Sequence, residues 1–292
     1  MSATQQLLAV ARGLGFELGG VTSAEPPKHF DAFERWLQAG MNAEMTHFVR
    51  HFEARKHPES LLPGVRSIFM LGVSYATVLR SEPHPIRQLR GIVEYGRGTD
   101  YHRWIRSRLK VLTEKHHELF PEGRCRIAVD TAPILEKQYA AAAGLGTIGK
   151  NTLLIHPQFG SKFYLATFLS TEPLEETPPS QPFDPCGECR RCLDACPTGA
   201  LVEPFVMDAR RCLSYWTLIH RGALPPEIAA KRGNRFLGCE TCQQVCPHNQ
   251  SLPTIPEGTL DPFLLKAEEL HPFLVGSALE PHKPKAFAGK LE

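Results

Sequence analysis

The sequence predicts an α/β domain over residues 1–175 followed by a small cysteine-rich module over residues 176–250. Three observations carry this expectation. Up to Ser170, apolar runs with strand character alternate with segments whose apolar residues recur at helical spacing. The stretch TEPLEETPPSQPFDP (Thr171–Pro185) then brings five prolines and no apolar period, the texture of a boundary. Beyond it, eight of the nine cysteines fall between Cys186 and Cys246.

Each element follows from its local pattern. ATQQLLAVARGLG (residues 3–15) has helical spacing and closes on glycine, so it reads as an amphipathic first helix. Phe33–Met45 reads as a second helix, broken near Gly40. SIFMLGVSY (Ser67–Tyr75) is a buried strand, and Asp100–Leu119 is a long amphipathic helix rich in Arg, Lys and His. RIAVDT (Arg126–Thr131) is a short strand ending at an acid, Pro133–Ala143 returns to helix, and FYLATFLS (Phe163–Ser170) is a further strand. A proline-rich tail, residues 251–292, is expected to hug the surface, with a short helical piece near Pro262–Leu270.

Composition bounds the function classes. A 292-residue chain with 42% hydrophobic and 22% charged residues is an ordinary globular protein, long enough for one large domain and one smaller one. Lys+Arg 33 against Asp+Glu 31 leaves a net charge of +2, so the overall balance does not point to nucleic acid, although local clusters still can. The N-terminal residues lack the basic and apolar regions of a signal peptide, and no run approaches a membrane span. A cytoplasmic protein is expected, where clustered thiols bind metal more often than they form disulfides.

The cysteines carry the strongest signal. Cys186-x2-Cys189-x2-Cys192-x3-Cys196-Pro is the bacterial ferredoxin run, in which three thiolates hold one [4Fe-4S] cube and the fourth reaches to a second. A second set, Cys239-x2-Cys242-x3-Cys246-Pro, is one cysteine short, and Cys212 stands alone upstream. Eight ligands for two cubes then close without remainder. Cluster one takes Cys186, Cys189, Cys192 and Cys246; cluster two takes Cys196, Cys212, Cys239 and Cys242. A zinc ribbon is the competing reading, but zinc sites rarely add a third cysteine at x2 and a fourth at x3 before proline. Cys125, in an apolar strand context, reads as a small core residue.

Outside the module the signals are weaker. Asp130 is expected at the C-terminal edge of a sheet, where open α/β folds place ligands, and apolar Ile127, Val129 and Ile134 would disfavour its charge and make it a proton donor. The competing reading is a helix N-cap. AGLGTIGKN (Ala143–Asn151) contains GxGxxG but follows a helix, so a C-cap and turn is favoured over a dinucleotide loop. Basic residues gather at Arg103, Arg106, Arg108 and Lys110, at Arg190 and Arg191, at Arg210 and Arg211, and at Lys231, Arg232 and Arg235. Trp104, Tyr215, Trp216, His220 and Phe236 lie among them. Such runs are usually solvated faces, but they leave room for a phosphate-bearing substrate.

With YGRGTDYH, VDTAPILEK, AGLGTIGKN, the CxxCxxCxxxCPTGAL run, RRCLSYWTLIHRG and GCETCQQVCPHN in hand, the chain resembles the epoxyqueuosine reductases. These are cobalamin-dependent iron–sulfur enzymes of tRNA queuosine biosynthesis, and the resemblance runs from the first helix to about His248. It implies an α/β (α+β), nitroreductase-like cobalamin-binding domain followed by a ferredoxin-like two-[4Fe-4S] domain. Electrons would pass from the clusters to cobalamin to the epoxide at the tRNA wobble position. The resemblance makes Asp130 the proton donor and a cobalamin contact. It carries further cobalamin contacts to Arg55, Lys137, Asn151, Leu154, Leu165, Ser214, Cys239 and Glu240. It also implies an external low-potential electron donor, and the protein is expected to work as a monomer away from membranes. Longer family members continue into a helical-repeat domain that helps hold tRNA, a pattern this tail lacks. Two readings compete: another corrinoid iron–sulfur reductase acting on a small molecule, in the manner of reductive dehalogenases, and a ferredoxin-type electron carrier.

Overall fold

A computed structural model describes residues 1–75, 91–96, 100–177, 184–250 and 252. Helix α1 (Ala3–Gly13) starts at a capping box: the Ser2 hydroxyl accepts from the Gln5 N–H, and the Gln5 side chain accepts from the Ser2 N–H. Strand β1 (Leu18–Ser23) follows, then helices α2 (Phe30–Gln38), α3 (His47–Arg50) and α4 (Phe52–Lys56). Strand β2 (Ser67–Ser74) leads, past α5 (Tyr101–Leu119), to β3 (Cys125–Ala128) and α6 (Glu136–Ala142). A small hairpin, β4 (Thr147–Ile148) and β5 (Leu154–Ile155), precedes strand β6 (Phe163–Ser170).

The four main strands form a sheet in the order β1-β2-β6-β3, antiparallel at every pairing. The domain is therefore α+β, built on an antiparallel sheet, and Asp130 lies just past the C-terminal end of its edge strand β3, as expected. The apolar run of β2 could not reveal the strand direction, because all eight of its residues are buried between two covered faces. Phe69, Leu71 and Val73 alternate onto one face against Leu7 and Ala11 of α1 and Ile105, Leu109 and Leu112 of α5. Ile68 and Met70 face the other way, against Tyr139 and Ala140 of α6 and Leu154 of β5. Each such leucine or isoleucine, withdrawn from water, contributes roughly 1.5–3 kcal/mol. Gly20 lets α6 approach β1, since a Cβ there would stand 2.0 Å from the Ala143 carbonyl oxygen.

The chain between β3 and α6 positions the candidate acid. Pro133 cannot donate, and the Thr131 N–H to Val129 and Ile134 N–H to Ala132 bonds fold the segment into two tight turns. Helix α6 consequently begins at Glu136, three residues later than the sequence pattern predicts, with Leu135 at its N-cap and no side-chain cap bond. Asp130 is thus no N-cap. It sits two residues past the end of β3 with φ +57, a conformation rare for a residue with a side chain. AGLGTIGKN is a helix end and turn, with Gly144 at φ +81 after the Ala143 C-cap, leading into the β4–β5 hairpin.

The described part of the proline-rich stretch runs back along the sheet. The Ser67 hydroxyl donates to the Glu172 carbonyl and accepts from the Leu174 N–H, and the Val21 N–H donates to the Thr177 hydroxyl. The cysteine-rich segment then folds from α7 (Arg191–Asp194), a hairpin of β7 (Leu201–Glu203) and β8 (Val206–Met207), a π-helical turn at Tyr215–Ile219, α8 (Pro226–Arg232) and α9 (Thr241–Gln244). Buried polar ties hold it to the sheet domain. The Gln243 side-chain amide donates to the Ser161 carbonyl, Asn249 Oδ1 accepts from the Ser161 N–H at 2.8 Å, and Trp36 Nε1 donates to the Met207 carbonyl. The helical piece expected near Pro262–Leu270 lies outside the described residues, as does the tail beyond Leu252.

Candidate active site and cluster-binding module

The eight cysteines of the module are free thiols drawn into two neighbourhoods. Burial raises the Cys246 pKa, and nearby Cys186 and Cys189 raise it further. Burial likewise raises Cys192, with contributions from Cys186 and Cys246. Cys212 is raised by burial and then by Cys239 and Cys196. Cys242 is pushed up to about 12 by burial, Cys212 and Cys239, with Cys192 and Cys196 adding to it. Thiols raised this way keep their protons until a cationic metal centre displaces them. Burial would also raise Cys196, but N–H groups of Leu201, Thr198 and Ala200 around its sulfur lower it overall.

Among the described residues, the one trio of His, Cys or carboxylate ligand atoms within 4.8 Å of one another is His116, His117 and Cys125, away from the module. Sulfurs around one tetrahedral zinc stand about 3.8 Å apart, as bond lengths near 2.3 Å require. No three of the module's sulfurs all lie within 4.8 Å of one another. Cys125 packs half-buried at the edge of the main core.

Asp130 sits in a polar cluster instead of the apolar pocket its sequence neighbours suggested. Val129 and Ile134 turn into the core, at 2% and 5% exposure, while the Asp130 side chain remains 57% exposed. His102 Nε2 stands 3.5 Å from its carboxylate, and Tyr101 hydrogen-bonds it. His102 therefore holds the Asp130 carboxyl below its ordinary pKa, the reverse of the expected rise. Burial works against a charged His102, yet its contacts to Asp130 and Asp100 raise its pKa. Asp100 accepts from both the backbone N–H and Nδ1 of His102, the latter at 2.9 Å, which fixes the ring with Nε2 toward Asp130. Glu136 accepts the Asp130 backbone N–H at 3.1 Å. Burial first, and then the Asp130 charge, push its carboxyl up to about 8.

The remaining candidates are placed unevenly. Arg55 is 7% exposed, lies 4.7 Å over the Phe48 ring and donates Nη1 to the Ile134 carbonyl, while its Nε has no partner. An orphaned guanidinium N–H suits an acceptor on a bound group. Lys137 keeps solvent contact and donates to the Thr152 carbonyl, with surrounding protein lowering its pKa. Asn151 is buried and caps the turn by accepting the Leu153 N–H. Ser214 exchanges hydrogen bonds with the backbone of Cys239, and Glu240 accepts the Glu94 N–H. Leu154 belongs to the core and Leu165 packs partly buried against it.

Some of the basic residues are tied down. Arg210 pairs with Asp208, Arg190 with Asp194, Arg108 stacks 3.8 Å over Trp104 and bonds the Leu14 carbonyl, and Arg232 lies over Phe236. Arg103, Arg106 and Lys110 are exposed on α5.

Comparison with known proteins bears directly on this arrangement. Residues 185–249 match the family described as 4Fe-4S double cluster binding domain, and residues 55–131 match epoxyqueuosine reductase QueG, DUF1730. An epoxyqueuosine reductase of Pseudomonas aeruginosa is 39% identical over 254 residues, 86% of this chain and 70% of the relative. The chain belongs to the epoxyqueuosine reductase family. Its fold is that of solved members. The epoxyqueuosine reductase of Bacillus subtilis, with the aspartate-bearing catalytic loop swung out of the active site, superposes with a TM-score of 0.75 at 33% identity, covering 88% of this chain and 68% of that one. A crystal structure of epoxyqueuosine reductase with an epoxyqueuosine-modified tRNA-Tyr stem loop gives 0.74 at 32%, covering 91% and 73%. No helix among the described residues is long and apolar enough to cross a membrane.

Proposed function

We propose that this chain reduces epoxyqueuosine to queuosine in the wobble position of tRNA, using two [4Fe-4S] clusters and a cobalamin, with Asp130 as the acid at the epoxide. The observation that carries the reading is the Asp130–His102–Glu136 cluster in a member of this family, beside the orphaned Arg55 N–H and the exposed Lys137. On this reading, residues 1–175 form a nitroreductase-like corrinoid-binding domain and residues 176–250 the electron-transfer module. The fit is chemical: eight crowded thiols for two cubes, and a buried donor lacking an acceptor for the corrinoid. When bound, the clusters would supply single electrons and the corrinoid the metal centre at which the epoxide is reduced.

The chain's own task is protons. Removing an epoxide oxygen as water breaks two C–O bonds, forms a C=C bond and consumes two electrons and two protons. The contacts between Asp130 and His102 lower the pKa of the Asp130 carboxyl and raise that of His102, so a proton shared by the pair rests on His102. Glu136, with its carboxyl near 8, holds a second. Asp130 can relay the first from His102, fixed by Asp100, to the oxygen as it leaves. The positive φ at Asp130 and the Glu136 bond to its N–H set the direction of its carboxylate.

The test is single turnover on an epoxyqueuosine-bearing tRNA stem loop with cobalamin and a low-potential reductant. Asp130→Asn should keep clusters and corrinoid yet slow turnover by roughly 10²–10⁴, the range for a lost general acid. Turnover near the parent rate would remove Asp130 from the mechanism. Conversion of halogenated small molecules with no action on the RNA would replace the substrate assignment.

A further inference from the structure

Lys150 closes the AGLGTIGKN turn and lies between the cysteine-rich segment and the sheet domain. Its backbone N–H donates to Cys186 Sγ at 3.3 Å. Its ammonium donates to the Gly187 carbonyl and, at 3.2 Å, to the Cys189 carbonyl. One residue thus contacts the whole Cys186–Cys189 loop with an N–H on sulfur and a full positive charge. The side chain is half-buried, so its field is screened less than that of a surface lysine. Its own carbonyl accepts the Phe205 N–H at 3.0 Å, and its chain neighbour is buried Asn151. Asp184 also accepts the N–H groups of Cys186 and Gly187, at 2.9 and 3.1 Å.

A four-iron cube gains negative charge on reduction. Hydrogen bonds to its sulfurs and nearby cations favour the reduced state, and nearby anions oppose it. Gly187 and Glu188 leave this loop open to solvent, so it is the face an external donor can reach.

We propose that Lys150 is a redox-positioning residue for the cluster held by Cys186, Cys189, Cys192 and Cys246: it raises that cluster's potential. The proposal rests on the two-cluster reading of the module. It extends that reading by assigning the potential of one cube to a residue outside the cysteine segment.

The experiment is an EPR-monitored redox titration of the full chain with both clusters loaded anaerobically, beside iron and sulfide analysis. Lys150→Met should keep both clusters and move one midpoint negative. At the parent midpoint, its reduced-to-oxidised ratio should fall about tenfold (59 mV for a one-electron couple). The other midpoint should stay in place, and Lys150→Arg should restore most of the shift. Asp184→Asn, which keeps an oxygen for the loop N–H groups but removes the charge, should move the same midpoint positive. Unchanged midpoints in Lys150→Met, or a shift in the same direction in both neutralised variants, would overturn the proposal. Should Lys150→Met fail to load the cluster, Asp184→Asn decides alone, and no upward shift refutes it. A parent protein that loads fewer than two clusters would instead remove the cluster reading beneath it.

Discussion

Replacing Glu136 by glutamine tests the electrostatics of the candidate site without touching the acid itself. Glutamine keeps the oxygen that accepts the Asp130 N–H and is neutral, as Glu136 is below its pKa near 8. A carboxyl whose folded pKa is raised stabilises the fold fully below its unfolded value, and that contribution is lost as pH climbs to the folded value. The window here runs from an ordinary 4.5 to about 8. Between pH 6 and pH 8 the parent should therefore lose about 2 kcal/mol that the variant does not. At roughly 2–4 °C per kcal/mol for a chain of this size, the gap between the two melting temperatures, variant higher, should widen by roughly 4–8 °C from pH 6 to pH 8. The assay is a far-UV circular dichroism melt of cluster-loaded, corrinoid-free protein across that range under anaerobic conditions. Parallel curves for the two proteins would show that Glu136 is already ionised at neutral pH, and with it the second proton store would go.

Two further outcomes follow from single groups. Cys246→Ala should abolish the EPR signal of the cluster that includes Cys186, some 60 positions upstream, and halve the iron content while leaving the other cluster in place. Arg55→Leu removes the buried guanidinium with its orphaned N–H; corrinoid affinity, measured by equilibrium dialysis, should fall at least tenfold, consistent with a lost charge-assisted bond of about 1.5–3 kcal/mol.

What the sequence disclosed depends on whether the cause is local. The double-cluster segment was legible because cysteine spacing is covalent, and α5 because Ile105, Leu109 and Leu112 recur on one face. Strand direction was not: an apolar run buried on both sides reads alike in parallel and antiparallel sheets, and β2 is such a run. Asp130 was found by its motif, but its surroundings were misjudged. The positive φ turns its carboxylate away from Val129 and Ile134 toward His102, 28 positions earlier. Glu136 was missed, although a second carboxyl six residues after a candidate acid, across a proline turn, is a readable hint of two coupled acids.

The interleaving of the two thiol neighbourhoods bears on how the protein is made. Cys246 lies with the Cys186 group and Cys242 with the Cys212 group, so each neighbourhood spans most of the segment. A ribosome that has released only the first cysteine run has exposed four thiols and no complete coordination sphere. On the ligand sets proposed above, neither cube could close until residue 242 had emerged, and the two would then form within a few residues of one another. Cluster delivery would then follow translation of the whole segment, and a nascent chain stalled within it would offer its thiols to stray copper or zinc.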